Sequence, residues 1–360
     1  MKVKRVLLAT ALVVGLGAAL LPATAQAATV TCTHTGFVRD GIDMTAAQIG
    51  GNVTGTIDAS GTNTIDGIPC NIGVYYGPLY DNSTNPPTFT GFAPSGNVTG
   101  ATIFGANYFG VVVNGDENAQ SVSVTNSAIH DIGETPLNGA QHGVAIYYRA
   151  LSTGTASGTI SGDTLTNYQK GGITVSGSVS ATIMDNTVTG QGPVNYIAQN
   201  GIQVGVGAKA TVRRNIVTGN AYTGAGGVSS AGILVIGGPC YGAPTVNLTI
   251  NKNTLTTNDV GIWLFNANGT CDGPVTTKTN NTVKFNTISN GGVTNTTGYS
   301  ATCGYQAGIA DVGHKDLIVN NSISGTGYRP QADGDCTGTP PAYLRHVDLD
   351  SSARGAPSNK

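Results

Sequence analysis

Ionisable side chains are scarce in this sequence, and those able to move protons gather in one stretch: His130, Asp131 and Glu134, then His142, Arg149 and Lys170. Two chemistries suit these residue types. Elimination from an acidic sugar needs a base for the proton beside the carboxylate and a cation to hold that carboxylate, roles open to His142, Arg149 and Lys170. Hydrolysis of a glycosidic bond needs two carboxylates flanking it, and Asp131 and Glu134 are the nearest candidates. The plainer alternative is that these six are polar loop residues with no shared task. A second charged run, Asp311-Val312-Gly313-His314-Lys315-Asp316, reads more simply as a tight turn.

Any such site must be carried by elements, and the first segment is not one of them. Lys2, Lys4 and Arg5 precede an apolar run from Val6 to Leu21, and Ala25-Gln26-Ala27 follows with the small-x-small pattern of a signal-peptidase site. The expectation is a leader over 1–27 and export to an extracellular location. The rest carries 14 cations against 19 acids, a formal charge of −5, which argues against nucleic-acid or anionic-membrane partners. Only two glutamates occur while Gly reaches 53 of 360, a composition that excludes a helical protein. Val and Ile recur too regularly for disorder.

That recurrence has two interleaved columns. One has the form [IV]-x-x-N-x-[IVL], at 183–188, 212–217, 250–255, 283–288 and 318–323, with Asp163, Ser127 and Ala101 in the asparagine place of earlier units. The other is G-[IV]-x-[VIL], beginning at Gly110, Gly143, Gly172, Gly201, Gly232 and Gly261, with Gly73 and Gly308 as imperfect end members. Units of 23 to 47 residues, variable only between the columns, mean stacked structural repeats. No unit can bury its apolar positions alone, and none offers a helix to cover a sheet. Winding them into a coil, each strand pairing in parallel with its counterpart one turn later at about 4.8 Å, buries a continuous column of Ile and Val. Asparagine is read as the corner residue, tolerant of left-handed backbone and able to hydrogen-bond its equivalents above and below. A β-sandwich is the alternative, but it requires no asparagine in register through so many units.

These columns resemble the right-handed parallel β-helix repeat of the pectate-lyase-like superfamily over roughly residues 70–325. The fold so implied is all-β, a solenoid of three parallel sheets, with G-[IV]-x-[VIL] as the first sheet and the asparagine column as the second sheet, its corner and the third. The resemblance also implies a polysaccharide or cell-surface glycan lying along the outer face of the first sheet. Outward positions there, alternating with buried ones, include Ala145, Tyr147, Thr174, Gln203, Trp263 and Phe265; Tyr147, Gln203, Trp263 and Phe265 are the candidate sugar contacts. The N-T-D, D-D, G-H-G and R-I-K marks of polygalacturonase-like hydrolases are missing, as is any acidic cluster like a pectate-lyase calcium site. The activity is therefore open between lyase, hydrolase and a non-catalytic extracellular scaffold.

Coil ends need covering. Six cysteines fit an oxidising compartment. Cys32 and Cys70 precede the first clear rung and would staple an N-terminal cap; Cys240 and Cys271 fall at similar heights on adjacent rungs; Cys303 and Cys336 would fix the far end. Other pairings remain open on sequence alone. With no C-x-x-C and scattered histidines, no metal and no cofactor is expected. The expected layout is a cap over 28–70, the coil over 71–325, a second cap over 326–350 and a tail over 351–360, in a monomer.

Overall fold

The computed structural model describes residues 29–349 except 64, 66, 272, 301, 330–335 and 337–341. The expected leader, the tail and part of the second cap lie outside the described residues. Within them the chain is a parallel β-helix. An 11-stranded first sheet and two 9-stranded sheets each run the length of the coil. One short 3-10 turn, Thr326–Tyr328, is the helical content of the described residues.

Register explains why the repeats stack. In the first sheet Ile173 lies over Ile202, then Ile233, Ile262 and Ile309, all with no solvent exposure. Each such residue, fully buried, stabilises the coil by about 1.5–3 kcal/mol. The glycine that opens each strand is a matter of space. A Cβ on Gly110 would lie 2.5 Å from the Ala145 carbonyl oxygen, on Gly172 2.6 Å from that of Gly201, and on Gly201 2.7 Å from that of Gly232. Third-sheet side chains such as Ile129 crowd the same point.

The same register corrects one reading of the repeat. Val111 pairs with Ile146 and Val112 with Tyr147, so Ala145, not Gly143, fills the glycine column of that rung. Ala145 therefore faces the interior, wholly buried in the main core, and is not an outward position. The frame is ambiguous in sequence because Val144 and Ile146 are both apolar and two residues apart.

The asparagines form a ladder. The Nδ2 of Asn186, Asn215, Asn253 and Asn286 each donates to the Oδ1 of the next asparagine at 2.9 Å, ending on Asn321. Their backbone N–H groups donate to the same acceptors at 2.9–3.1 Å. The left-handed backbone, however, belongs to the residue before each asparagine: Asp185, Arg214, Lys252, Phe285 and Asn320, with φ between 54° and 58°. The bend and the ladder are separate jobs on adjacent residues. One holds the backbone in αL with its side chain outside; the other turns an amide inward to satisfy buried backbone groups.

The coil begins ahead of the Gly73 repeat. Ile42–Ile49 pairs in parallel with Ile72–Tyr76, and Thr56–Asp58 with Thr102–Phe104. Strand Thr33–Arg39 returns antiparallel to Ile42–Ile49 and folds over the outward face of the first rungs. Its Phe37 ring lies 6.2 Å from Tyr75 and 6.4 Å from Phe109, with Arg149 4.9 Å above it. Disulfides join Cys32 to Cys70, Cys240 to Cys271 and Cys303 to Cys336. At the other end Ala342–Leu349 pairs in parallel with Gly304–Asp311.

Candidate functional site

On the first sheet the central outward column runs Val112, Tyr147, Thr174, Gln203, Leu234, Trp263, Ala310. Its early members are covered by the folded-over hairpin. Val112 is fully buried, and Tyr147 is 7% exposed, stacked 5.2 Å from Phe109. From Thr174 onward the hairpin no longer covers the column, and Gln203, Leu234 and Trp263 floor a groove of about 620 Å³. Gln203, Trp263 and Phe265 lie in it; Tyr147 lines only a smaller adjoining cavity of about 140 Å³.

The walls come from the variable links and from the end of strand Ile216–Tyr222. Tyr196, Tyr222 and the segment Gly227–Ser229 stand on the side where the chain enters the sheet, and Tyr241 on the side where it leaves. Tyr241 lies 5.7 Å from Phe265, which lies 5.1 Å from Trp263. Disulfide Cys240–Cys271 pins the loop that carries Tyr241. These three tyrosines were not legible as site residues, because Tyr196 and Tyr241 sit on links of unequal length and Tyr222 at a strand end beyond the repeat, none with a column in which to recognise it.

Among the described residues Lys170 is the one cation lining this groove, and no carboxylate lines it. Its Nζ donates to the Ala198 carbonyl at 2.8 Å, and burial pushes its ammonium down to about 8. Gln141, Asn200 and Gln203 add amides, with Asn200 donating to Gln203 at 3.2 Å.

The other ionisable candidates do not join Lys170. The Lys170 N–H bonds to the Gly143 carbonyl, so Lys170 stacks on Gly143 and not on His142. His142 is buried against Tyr108, ring centroids 3.7 Å apart, with Nε2 2.7 Å from Glu134 and Nδ1 3.9 Å from Asp40. Arg149 turns to Asp116 at 2.5 Å and to Asn114 at 3.1 Å, lining a different cavity with Phe37 and Glu117. Asp131 bonds His130 at 2.6 Å and Asn167. Burial opposes its charge, yet those two bonds hold the carboxyl below the ordinary aspartate value. Asp131 and Glu134 share a flanking cavity of about 350 Å³ with Asn167 and Leu137.

The Asp311–Asp316 run is a corner. Gly313 N–H bonds Asp311 at 2.7 Å, and buried Asp316 accepts from Thr279 and the Asn281 N–H, both at 2.6 Å. Among the described residues no group of three or more His, Cys, Asp or Glu could hold a metal ion, and no helix is long and apolar enough to cross a membrane.

A family model described as right handed beta helix region matches residues 63–273. No curated protein matches the chain. Among solved structures, DFA-IIIase from Arthrobacter chlorophenolicus A6, without its lid and in complex with GF2, aligns at 12% identity over 81% of this chain and 56% of that one, with a TM-score of 0.42. A double mutant of the tailspike protein of E. coli bacteriophage HK620, in complex with pentasaccharide, aligns at 10% identity over 91% and 60%, with a TM-score of 0.38. The chain thus spans less than two thirds of either solved chain.

Proposed function

The chain belongs to the right-handed β-helix family, and from that premise we propose that it is an extracellular protein that holds a polysaccharide along the outer face of its first sheet. The observation that carries this reading is the composition of the 620 Å³ groove, which has aromatic rings from Tyr196, Tyr222, Tyr241, Trp263 and Phe265, amides between them, and a single cation. Rings offer flat apolar faces to sugar rings, and a few placed amides fix hydroxyl orientation. Three disulfides fit an oxidising compartment.

A second reading, polysaccharide lyase, has one specific support. A lysine held near 8 by burial is in part the free amine at neutral pH, which suits it to abstract a proton. Hydrolysis in this groove has less support, since two carboxylates flanking a bond are needed and none of the described residues lining it supplies one.

The test is a screen of neutral and uronic polysaccharides by titration calorimetry, with 235 nm absorbance and reducing ends followed in parallel. Binding that Trp263→Ala weakens tenfold or more, without new absorbance, supports a binder. Absorbance that Lys170→Ala abolishes supports the lyase. Failure of every polysaccharide to bind would remove the proposal.

A further inference from the structure

The outer face of the first sheet carries three cavities in a row. The smallest, about 140 Å³, shares Gln141, Lys170 and Gln203 with the 620 Å³ groove. The groove in turn shares Trp263 and Phe265 with a third cavity of about 250 Å³, bounded by Tyr305, Ala310 and Asp348. They form one track along the coil axis, and its two ends differ.

The end near Lys170 is blind. The hairpin turn at Arg39, Asp40 and Gly41 lies across the sheet there, and Arg39, Phe109, Val144 and Tyr147 close the 140 Å³ cavity. Beyond it the outward positions Phe109 and Val112 are buried under Phe37 and Met44. Buried His142 lies beneath the turn, its Nδ1 3.9 Å from Asp40 and its Nε2 2.7 Å from Glu134. A polymer lying in the groove cannot run on past this barrier.

Charge is divided in the same sense. Arg39 and Lys170 both line the blind cavity, and Arg39 Nε, 3.3 Å from Asp40, is buried without a hydrogen bond. Among the described residues lining the three cavities the carboxylates are Asp311 and Asp348, in the far one, while Asp40, paired with Arg39, lies in the turn and lines none of them. From the Thr174 rung to the Trp263 rung there are three strand-to-strand steps, about 14 Å in all, room for a short oligosaccharide.

We infer that the groove receives the end of a glycan chain and not its middle, with an acidic terminal sugar seated against Arg39 and Lys170 and the chain leaving over Trp263 and Phe265. This rests on the polysaccharide reading above and narrows it to chain ends that carry a carboxylate.

The experiment uses the full chain on an array of short linear oligosaccharides. One set carries a single uronate or aldonate at either free end, a second carries the same uronate internally, and a third is neutral. Preference for the end-placed acid by tenfold or more is expected, and Arg39→Gln should erase that preference while its thermal midpoint and circular dichroism stay those of the parent. Equal binding of internal and terminal acids would overturn the inference and leave the polysaccharide reading standing. Binding to none of the three sets would remove both.

Discussion

Asp163 stands in the asparagine ladder, its backbone N–H donating to the Oδ1 of Asn186 at 3.0 Å while its own Oδ1 accepts the Ser127 N–H at 2.8 Å. The two residues do the same job with different chemistry. Where the Asn186 Nδ2 donates to the Ile160 carbonyl at 3.0 Å, Asp163 presents a second oxygen, buried with no hydrogen bond. The equivalent carbonyl for Asp163 belongs to Val124, the register partner of Ile160. By analogy with Asn186 the second oxygen would meet that carbonyl, an arrangement that favours a protonated carboxyl, and burial pushes it up to about 8.

A pH dependence follows. In the unfolded chain this carboxyl titrates near about 3.9. Between there and about 8 the folded state binds the proton more tightly, so stability from this site is full below the lower value and declines as pH rises through the upper one. Asp163→Asn should remove that decline and stabilise the coil at pH 8 by about 1–3 kcal/mol, the cost of a buried unsatisfied polar group. Urea unfolding at pH 5 and pH 8 checks it. An Asp163→Asn chain no more stable than the parent at pH 8 would show that the ladder already accommodates the charge.

The corner divides into two roles that substitution should separate. Asn215→Ala leaves the Asn186 Nδ2 and N–H without their acceptor and the Ile183 carbonyl without its donor. At about 1–3 kcal/mol per buried group the loss should be several kcal/mol, visible as a lowered thermal midpoint. Arg214, one residue earlier, has φ 54° and an exposed side chain paired with Asp185 at 2.6 Å. Arg214→Gly relieves a left-handed strain of about 1–2 kcal/mol and loses only a solvent-screened surface pair, so it should be near neutral or stabilising. Equal damage from both substitutions would contradict the division.

The ladder was readable in sequence because its side chains point inward, where one geometry admits one residue type. The αL position beside it was not, because only its backbone is constrained. Asp185, Arg214, Lys252, Phe285 and Asn320 share a φ and nothing else. The site divides likewise. Gln203, Trp263 and Phe265 followed from strand alternation, whereas Tyr196 and Tyr241 sit on links, and Tyr222 at a strand end beyond the repeat, that return to the groove only in three dimensions. His142, Arg149 and Lys170 are near in register, yet each is drawn to a different partner: Glu134, Asp116 and the Ala198 carbonyl.

Two aromatic residues of the same outward column should behave differently. Trp263 is half-buried in the open groove, with Phe265 and Tyr305 beside it. Trp263→Ala should weaken glycan binding tenfold or more and shift the thermal midpoint by only a few degrees. Tyr147 is packed between the hairpin and the sheet, so Tyr147→Ala should cost about 3–5 kcal/mol of stability, as large aromatic truncations in cores do. Calorimetric titration together with urea unfolding distinguishes the two, and a Tyr147→Ala chain of parental stability would show that the hairpin does not pack as described.

The entry-side wall depends on Asp259, which is wholly buried beneath it. Its Oδ2 accepts the N–H groups of Tyr222 and Ser230, both at 2.9 Å, and the Asn295 amide at 3.2 Å, while Oδ1 accepts the Thr294 hydroxyl at 3.2 Å. One carboxylate thus ties the Tyr222–Ser230 link to the 294–295 segment. Burial pushes it up to about 7 against the pull of those bonds, so its contribution declines as pH rises toward that value. Asp259→Ala removes every tie at once and leaves two backbone N–H groups without acceptors. The ladder and the stacked core lie outside this network, so the damage should be local. Limited proteolysis should cut the 223–229 link at least tenfold faster, and glycan affinity should fall, while the asparagine ladder keeps its amide protection in hydrogen exchange. Asp259→Asn keeps an oxygen for the two N–H groups and should restore most of the wall without its pH dependence. Parental cleavage and affinity in Asp259→Ala would mean that the wall is held by something other than this carboxylate.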